Sequence, residues 1–222
     1  MVKKMLNNKH IKINGQDIIG NKLDPYIIAE IGTNHDQDID IAKEMILKIK
    51  KSGADCAKFQ VYEADEIVND HIRCSDYNLD KIYGNITAKE MFDKHLKTPK
   101  NWFPELIDFC HQNELDCAAT IHGSKGVSWA LEQNLDIIKI ASMDHNNFPL
   151  LESIVNVIKK PILISFGMAF ESDIKDAMKI LYKHKFGVGM FYCIAVYPPQ
   201  AKDLSLSNIK YLKNNFDSLI GF

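Results

Sequence analysis

The sequence predicts an α/β fold, a TIM-type (β/α)8 barrel that is incomplete, with about seven strands, and that follows an N-terminal β-hairpin. Three observations support this prediction. Short apolar runs alternate with segments of helical periodicity. In the later part of the chain these runs recur about every 24 to 29 residues, which is the pace of a β/α barrel. Before the first run, Asn14-Gly15 separates two short apolar stretches.

The candidate strands lack strict alternation of apolar and polar residues, as expected for strands buried on both faces of a parallel sheet. They cover residues 26–31, 56–60, 117–121, 137–141, 161–166, 189–195 and 218–222. Candidate helices cover residues 39–51, 101–113, 125–133, 148–157, 171–184 and 207–215. Gly53 and Gly187 follow two of these segments, where a helix C-cap is expected. The stretch 62–104 is predicted to hold at least one helix and a polar loop.

The Asn14-Gly15 pair favours a type I′ turn, so residues of about 10–21 are predicted to form a hairpin that closes the bottom of the barrel. The barrel itself is predicted over residues of about 25–222. The chain has 222 residues, of which 46% are hydrophobic, enough for one sizeable core. We therefore predict a single domain over residues 1–222.

Composition argues against several classes of partner. The formal net charge is -2 and the basic residues are scattered, so no nucleic-acid or anionic-membrane surface is predicted. No apolar run approaches the roughly 20 residues of a membrane span, and the N-terminus lacks the apolar segment of a signal peptide. The cysteines are odd in number and form no CxxC pair, and Cys56, Cys117 and Cys193 lie in or beside apolar runs. We expect a soluble, cytoplasmic protein with buried, reduced thiols.

Functional residues of a β/α barrel stand at the carboxyl ends of its strands. The polar residues at these positions are Glu30, Asn34, Lys58, Gln60, Lys139, Ser142, Asp144, Ser165 and Tyr197. Lysine and hydroxyl groups can hold a phosphate or carboxylate, and carboxylates can bind sugar hydroxyls or move protons. A structural ion pair with a lysine is the alternative for Glu30, and small polar residues such as the serines end many strands.

The histidines give weaker signals. His35 is open between a loop role and a site role, whereas His122 and His145 are predicted to be solvated loop residues. No Cys/His cluster in the sequence offers a metal site by itself.

Five segments in consecutive order resemble the sialic acid (N-acetylneuraminate) synthase family, which includes legionaminate, pseudaminate and spore-coat relatives. They read YIIAEIGTNH, GADCAKFQVYEADEIV, IIKIASMDHNNFPLL, KPILISFGMA and YCIAVYPPQAKDLSL. The resemblance runs from about Ile11 to Phe222. It is specific for the family, although not for the substrate.

The resemblance implies a TIM barrel that condenses phosphoenolpyruvate with an N-acyl amino sugar similar to N-acetylmannosamine. The products are a nine-carbon nonulosonic acid and phosphate. By resemblance, phosphoenolpyruvate is bound by Lys58, Lys139, Ser142, Ser165 and Tyr197. Asn34 and Gln60 would line the sugar pocket, and Glu30 and Asp144 would be catalytic. A divalent metal, manganese or magnesium, is the implied cofactor that activates the sugar aldehyde.

Several positions depart from the family pattern. Met143 replaces a glycine, Asp144 a glutamate, Phe166 a hydroxyl residue and Ala195 a polar residue. The sequence ends at Phe222, before the family's metal-binding histidines and antifreeze-like domain. We therefore expect no metal ligands in this chain and an impaired reaction. An unclosed barrel has exposed edge strands, which predicts a homo-oligomer, namely a dimer, or else a rearranged sheet or low stability.

Two alternatives remain open. The first is a non-catalytic homologue that binds an anionic metabolite or a partner chain, which Met143, Phe166 and Ala195 favour. The second is a barrel that condenses phosphoenolpyruvate with a phosphorylated aldose. Such an enzyme needs a basic pocket for the second phosphate, and Arg73 is the only arginine in the sequence, which disfavours this alternative.

Overall fold

The structure is a computed structural model that describes residues 10–20 and 23–222. The chain forms two compact units. Unit A is Ile27–Leu135, and unit B consists of the residues up to Tyr26 together with Asp136–Phe222. Two predictions extend beyond the described residues. Position 21 of the predicted hairpin lies outside them. So do residues 1–9, for which no signal peptide was predicted.

Strands and helices alternate along the chain. The hairpin consists of β1 (His10–Ile13) and β2 (Gln16–Gly20). Unit A contains β3 (Ile28–Gly32), α1 (Ile39–Ser52), β4 (Cys56–Val61), α2 (Ala64–Ile67), α3 (Asp80–Tyr83), α4 (Ala88–Met91), α5 (Phe103–Gln112), β5 (Asp116–Ile121) and α6 (Gly123–Glu132). Unit B continues with β6 (Ile137–Ile140), α7 (Phe148–Val157), β7 (Ile162–Phe166), α8 (Glu171–Leu181), β8 (Val188–Tyr192), α9 (Ser207–Asn215) and β9 (Leu219–Gly221).

The strands of unit A pair in parallel in the order β3, β4, β5. Their helix-facing residues form an aromatic core, in which the Phe59 ring meets Phe103 edge to face and Phe103 meets Trp129 in the same way. Asp38 is the N-cap of helix α1, and its carboxylate accepts hydrogen bonds from the first backbone amides of the helix. The helix ends at Gly53, whose φ of 81° confirms the predicted C-cap.

The strands of unit B pair in parallel in the order β6, β7, β8, β9. All residues of β6 and β7 are buried, which explains why their sequences do not alternate. The hairpin turns at Asn14 and Gly15, which both have positive φ, as a type I′ turn requires. These observations confirm the predicted class, seven parallel strands alternating with helices after an antiparallel hairpin.

Two details of the prediction were wrong. The sixth parallel strand, β8, ends at Tyr192 rather than at residue 195, although the apolar run continues. Gly187 is not a C-cap, because α8 ends at Leu181 and is capped by Tyr182. Instead Gly187 lies immediately before β8 with a φ of 100°, where an added Cβ would come within 3.2 Å of Ile11.

The helices and the cysteines bear on the predictions about membrane spans and thiols. None of the described helices combines the length and the apolarity that crossing a membrane requires. All five cysteines are free thiols, and four of them are buried, Cys193 being half-buried.

Candidate active site

The carboxyl ends of β3 and β4 bring Glu30 and Lys58 together in unit A. The two residues are partners in the parallel ladder, and their side chains form an ion pair. The Lys58 ammonium also donates to Thr120 Oγ1 at 3.1 Å, and Gln60 Nε2 donates to Glu30 Oε1 at 3.4 Å. The Lys58 side chain is 14% exposed and that of Glu30 is 41% exposed. Lys58 is thus fixed by two oxygens, while the Glu30 carboxylate keeps access to solvent.

A glycine makes room for this carboxylate. Gly32 has a φ of 59°, and an added Cβ would lie 3.1 Å from Glu30 Oε1. The ladder register shifts between Glu30 and Gly32, as in a β-bulge, and such irregularities often re-aim a side chain near a functional site. A larger residue at this position would displace the carboxylate.

The loop after β3 contains two further candidate residues, Asn34 and His35. Asn34 is exposed, and its side chain donates to the Ile31 carbonyl at 2.9 Å, so it shapes the turn. His35 is buried, with Nε2 at 2.9 Å from Thr98 Oγ1 and its ring edge against Trp102. Burial lowers the pKa of the His35 imidazole. The structure therefore gives His35 a packing role.

A second cluster lies in unit B around Lys139, which is only 8% exposed. Its ammonium group donates to Ser165 Oγ at 2.5 Å and to the Ile140 carbonyl at 2.7 Å. It also lies 5.7 Å from the centre of the Phe191 ring, and Cys193 Sγ lies 3.1 Å from the same serine oxygen. These two hydrogen bonds orient the ammonium group.

The loops after β6 and β7 are joined through Ser142. Its hydroxyl oxygen accepts a hydrogen bond from the Gly167 amide at 3.0 Å, and an added Cβ on Gly167 would lie 3.0 Å from that oxygen. The Ser142 carbonyl accepts a hydrogen bond of 2.6 Å from His145 Nδ1. Asp144 is buried in the same turn and accepts a weak contact of 3.5 Å from the Asn147 side chain. The Ser142 hydroxyl thus links two loops, and Asp144 has a structural partner within its own turn.

Other predicted positions lie apart from these contacts. The Tyr197 side chain is 90% exposed, whereas Lys139 and Ser165 are buried. The prediction that His122 and His145 are solvated was wrong, because both are buried. His145 packs its ring edge against Phe166, and His122 lies near Tyr62, so each imidazole fills space beside an aromatic ring.

Sequence reasoning assigned no role to Thr120 or Cys193. Thr120 accepts the hydrogen bond of Lys58, and Cys193 approaches Ser165. A sequence signal for Thr120 was available, because it is a polar residue near the carboxyl end of the predicted strand 117–121. Cys193 lies beyond the end of β8, so its direction could not be read from strand alternation.

Side chains of the types that bind metals are scattered over the part of the chain that the structure describes. Among residues 10–20 and 23–222, no group of three or more His, Cys, Asp and Glu side chains is arranged to hold a metal ion. These residues therefore do not fit the divalent metal that the resemblance implies.

The parallel strands that alternate with helices after a hairpin define a β/α protein of the TIM-barrel class. The NeuB family profile matches residues 45–222, and the chain belongs to the NeuB family. The N-acetylneuraminate-9-phosphate synthase of Drosophila melanogaster is 31% identical over 93% of this chain and 56% of its own length. The pseudaminic acid synthase of Helicobacter pylori is 28% identical over 89% of this chain and 58% of its own length. This chain thus spans less than two thirds of these relatives.

Solved structures agree with this assignment. The N-acetylneuraminic acid synthetase of Leptospira borgpetersenii serovar Hardjo-bovis, solved in complex with citrate, has a TM-score of 0.81 and 27% identity, covering 97% of this chain and 70% of that one. A phospho-2-dehydro-3-deoxyheptonate aldolase of Thermotoga maritima has a TM-score of 0.62 at 12% identity, which indicates a shared fold alone.

Proposed function

We propose that this protein is a nonulosonic acid synthase that condenses phosphoenolpyruvate with an N-acyl amino sugar similar to N-acetylmannosamine. Its relatives include enzymes named for the synthesis of sialic, pseudaminic and legionaminic acids. The observation that carries the proposal is the buried Lys139 ammonium group on Ser165. A buried ammonium group that donates to a serine hydroxyl at a strand end suits the binding of a small anionic substrate.

Phosphoenolpyruvate carries a carboxylate and a phosphate. We assign Lys139 and Ser165 to one of these groups, because a charge-assisted hydrogen bond to an anion is about twice as strong as a neutral one. Ser142 and the Gly167 amide, which are joined at 3.0 Å, can turn toward the same ligand. The exposed Tyr197 would have to move to reach the anion, so its predicted contact remains a proposal.

The proposed reaction forms a carbon–carbon bond between C3 of phosphoenolpyruvate and the aldehyde carbon of the open-chain sugar, whose oxygen takes up a proton. Water adds to the electron-poor C2 and loses a proton, and phosphate then leaves to give the 2-keto acid. By the family resemblance alone, we assign the proton of the water to Glu30, a carboxylate that is partly exposed. Lys58 and Gln60 hold this carboxylate in place. A divalent metal remains an expectation from the family resemblance.

The test is a phosphate-release assay with phosphoenolpyruvate, manganese and a panel of N-acyl amino sugars, with the 2-keto acid identified by mass spectrometry. We expect phosphate only when both substrates are present. Lys139→Gln should lower kcat/KM for phosphoenolpyruvate by at least about tenfold, the effect of losing one charge-assisted contact. Lys179→Gln, on the exposed face of α8, is the matched control and should retain activity.

Two results separate the alternatives. Release of no phosphate with any sugar contradicts the synthase assignment. If phosphoenolpyruvate nevertheless binds and Lys139→Gln abolishes that binding, the non-catalytic anion-binding homologue becomes the better description.

A further inference from the structure

A cavity of about 800 Å³ lies in unit B, beside the hairpin and at the amino-terminal ends of β6, β7 and β8. Each of these strands contributes residues that come just before it: Asp136, residues 159–161 and residues 185–187. The hairpin contributes its turn and residues of both its strands. Small-molecule sites commonly have volumes of roughly 300 to 1,000 Å³, so the cavity can hold a metabolite.

The charged lining of the cavity is mainly basic. It consists of Lys12, Lys159, Lys160 and Lys185 with Asp17 and Asp136. Asp17 lies 3.7 Å from His10 and 4.0 Å from Lys12, and Asp136 accepts a contact from the Asn14 side chain at 3.4 Å. The side chains of Lys159 and Lys185, in contrast, form no ion pair or hydrogen bond with any residue that the structure describes. The cavity therefore has an excess of positive charge at these two lysines.

The walls that carry these lysines are held by packing. Ile11 of the hairpin is 1% exposed and lies against Gly187 and Gly189. A Cβ added to Gly187 would come within 3.2 Å of the Ile11 side chain, and one added to Gly189 within 3.3 Å. On the other side, the buried His184 donates from Nε2 to the Lys160 carbonyl at 2.9 Å. Both the hairpin and the turn before β7 are thereby fixed, so a ligand would meet a largely preformed site.

We propose that this cavity binds a phosphate-bearing metabolite with two or more negative charges. Lysine ammonium groups are compact charges that bind phosphate without the fixed geometry of arginine. A single exposed lysine pairs only weakly with an anion in water, so binding requires an anion that engages Lys159 and Lys185 together. A monovalent carboxylate does not meet this requirement.

This site is separate from the Lys139 cluster and does not rest on the proposed function. Asp136 precedes β6 and Lys139 is its third residue, so the two lie roughly 10 Å apart along the strand. The cavity opens at the amino-terminal ends of the strands, whereas Lys139 contacts Ser165 near the carboxyl end of β7.

The test is isothermal titration of two probes, inorganic pyrophosphate and ATP, into the whole chain in magnesium-free buffer at low salt. We compare the unsubstituted protein with Lys159→Gln/Lys185→Gln and with the control Lys175→Gln/Lys179→Gln, which removes two lysines from the exposed face of α8. We expect both probes to bind the unsubstituted and control proteins with similar affinity. The cavity variant should bind at least about tenfold more weakly, with an unchanged circular dichroism spectrum.

The variant Lys139→Gln shows whether the probes bind in the cavity or at the Lys139 cluster. If they occupy the cavity, this variant binds them as the unsubstituted protein does. The proposal is overturned if neither probe binds, if the α8 control loses as much affinity as the cavity variant, or if Lys139→Gln abolishes binding. None of these results depends on whether the chain turns over phosphoenolpyruvate.

Discussion

At the scale of residues, two lysines with the same position in their strands have different surroundings. Lys58 and Lys139 are each the third residue of a strand, and the sequence predicted an anion-binding role for both. In the structure Lys58 is paired with Glu30, whereas Lys139 donates to Ser165. The sequence could predict that these side chains share strand ends. An ion pair with a lysine was the structural alternative for Glu30, and the structure forms it, but the sequence could not single out Lys58, because the partner depends on the register of β3 and β4.

The Glu30–Lys58 pair makes a first prediction. Because the Glu30 carboxylate is partly exposed, solvent screens the pair and its coupling free energy should be about 0.5 to 1 kcal/mol. Urea unfolding of Lys58→Met, Glu30→Gln and the double variant measures this coupling as a double-mutant cycle. Strictly additive effects would show that the pair contributes nothing to folding.

A second prediction concerns Gly123, at the start of α6. Its φ is 62°, and an added Cβ would overlap the carboxyl group of Glu66, which accepts a hydrogen bond from the Ser124 hydroxyl. Gly123→Ala should therefore lower the free energy of unfolding by about 2 to 4 kcal/mol through backbone strain and overlap together.

Gly53→Ala is the matched control for Gly123→Ala. Gly53 has a φ of 81°, but nothing lies within 4 Å of an added Cβ, so only backbone strain of about 1 to 2 kcal/mol is expected. Equal losses in the two variants would contradict the proposed overlap with Glu66.

At the scale of elements, the centres of strands and helices were more predictable than their ends. Helix α7 matches its predicted bounds because Asn147 caps its first turn and its apolar residues recur at helical spacing. Strand β8 is shorter than predicted because its ladders end at the Phe191–Gly221 pair with β9 and at the Phe166–Tyr192 pair with β7. The apolar residues that follow leave the sheet, and local sequence does not report the length of a neighbouring strand.

The hairpin provides the third prediction. Ile11 is buried against Gly187 and Gly189, so Ile11→Ala removes buried methyl groups and leaves a gap that backbone cannot fill. We expect a loss of about 2 to 4 kcal/mol in the free energy of unfolding. Ile82→Ala is the control, because this residue is 71% exposed and its truncation should cost no more than about 0.5 kcal/mol. A loss for Ile11→Ala as small as that of the control would mean that the hairpin is not held by this contact.

At the scale of the whole molecule, the order of strands and helices follows from sequence periodicity, and five motifs indicated the family that the comparison with known proteins confirms. Burial of polar groups was harder to predict. His35, His122, His145 and His184 are all buried, because long-range packing decides which loop side chains are covered. Local sequence carries little of that information.

The buried histidines make stability depend on pH, which is the fourth prediction. Burial lowers the pKa of His35 and of His184 below its ordinary value. Below pH of about 6.5 the unfolded chain therefore binds protons that the folded chain does not, and the free energy of unfolding falls as the solution is acidified.

Urea unfolding at neutral pH and at mildly acidic pH measures this dependence. His35→Gln and His184→Gln should each reduce it, because each removes one imidazole whose pKa is lowered on folding. If both variants show the same pH dependence as the unsubstituted protein, other groups are responsible.

The central claim is that Lys139 binds an anionic substrate, and isothermal titration with phosphoenolpyruvate tests it most directly. The titration is made with the unsubstituted protein, with Lys139→Gln and with the control Lys179→Gln, each with and without manganese. Phosphoenolpyruvate is also an anion that the basic cavity would attract. The Lys159→Gln/Lys185→Gln variant is therefore titrated as well. We predict binding that the cavity substitutions and Lys179→Gln preserve and that Lys139→Gln weakens at least about tenfold. Equal affinity in a folded Lys139→Gln variant, or no binding by the unsubstituted protein, would contradict the claim.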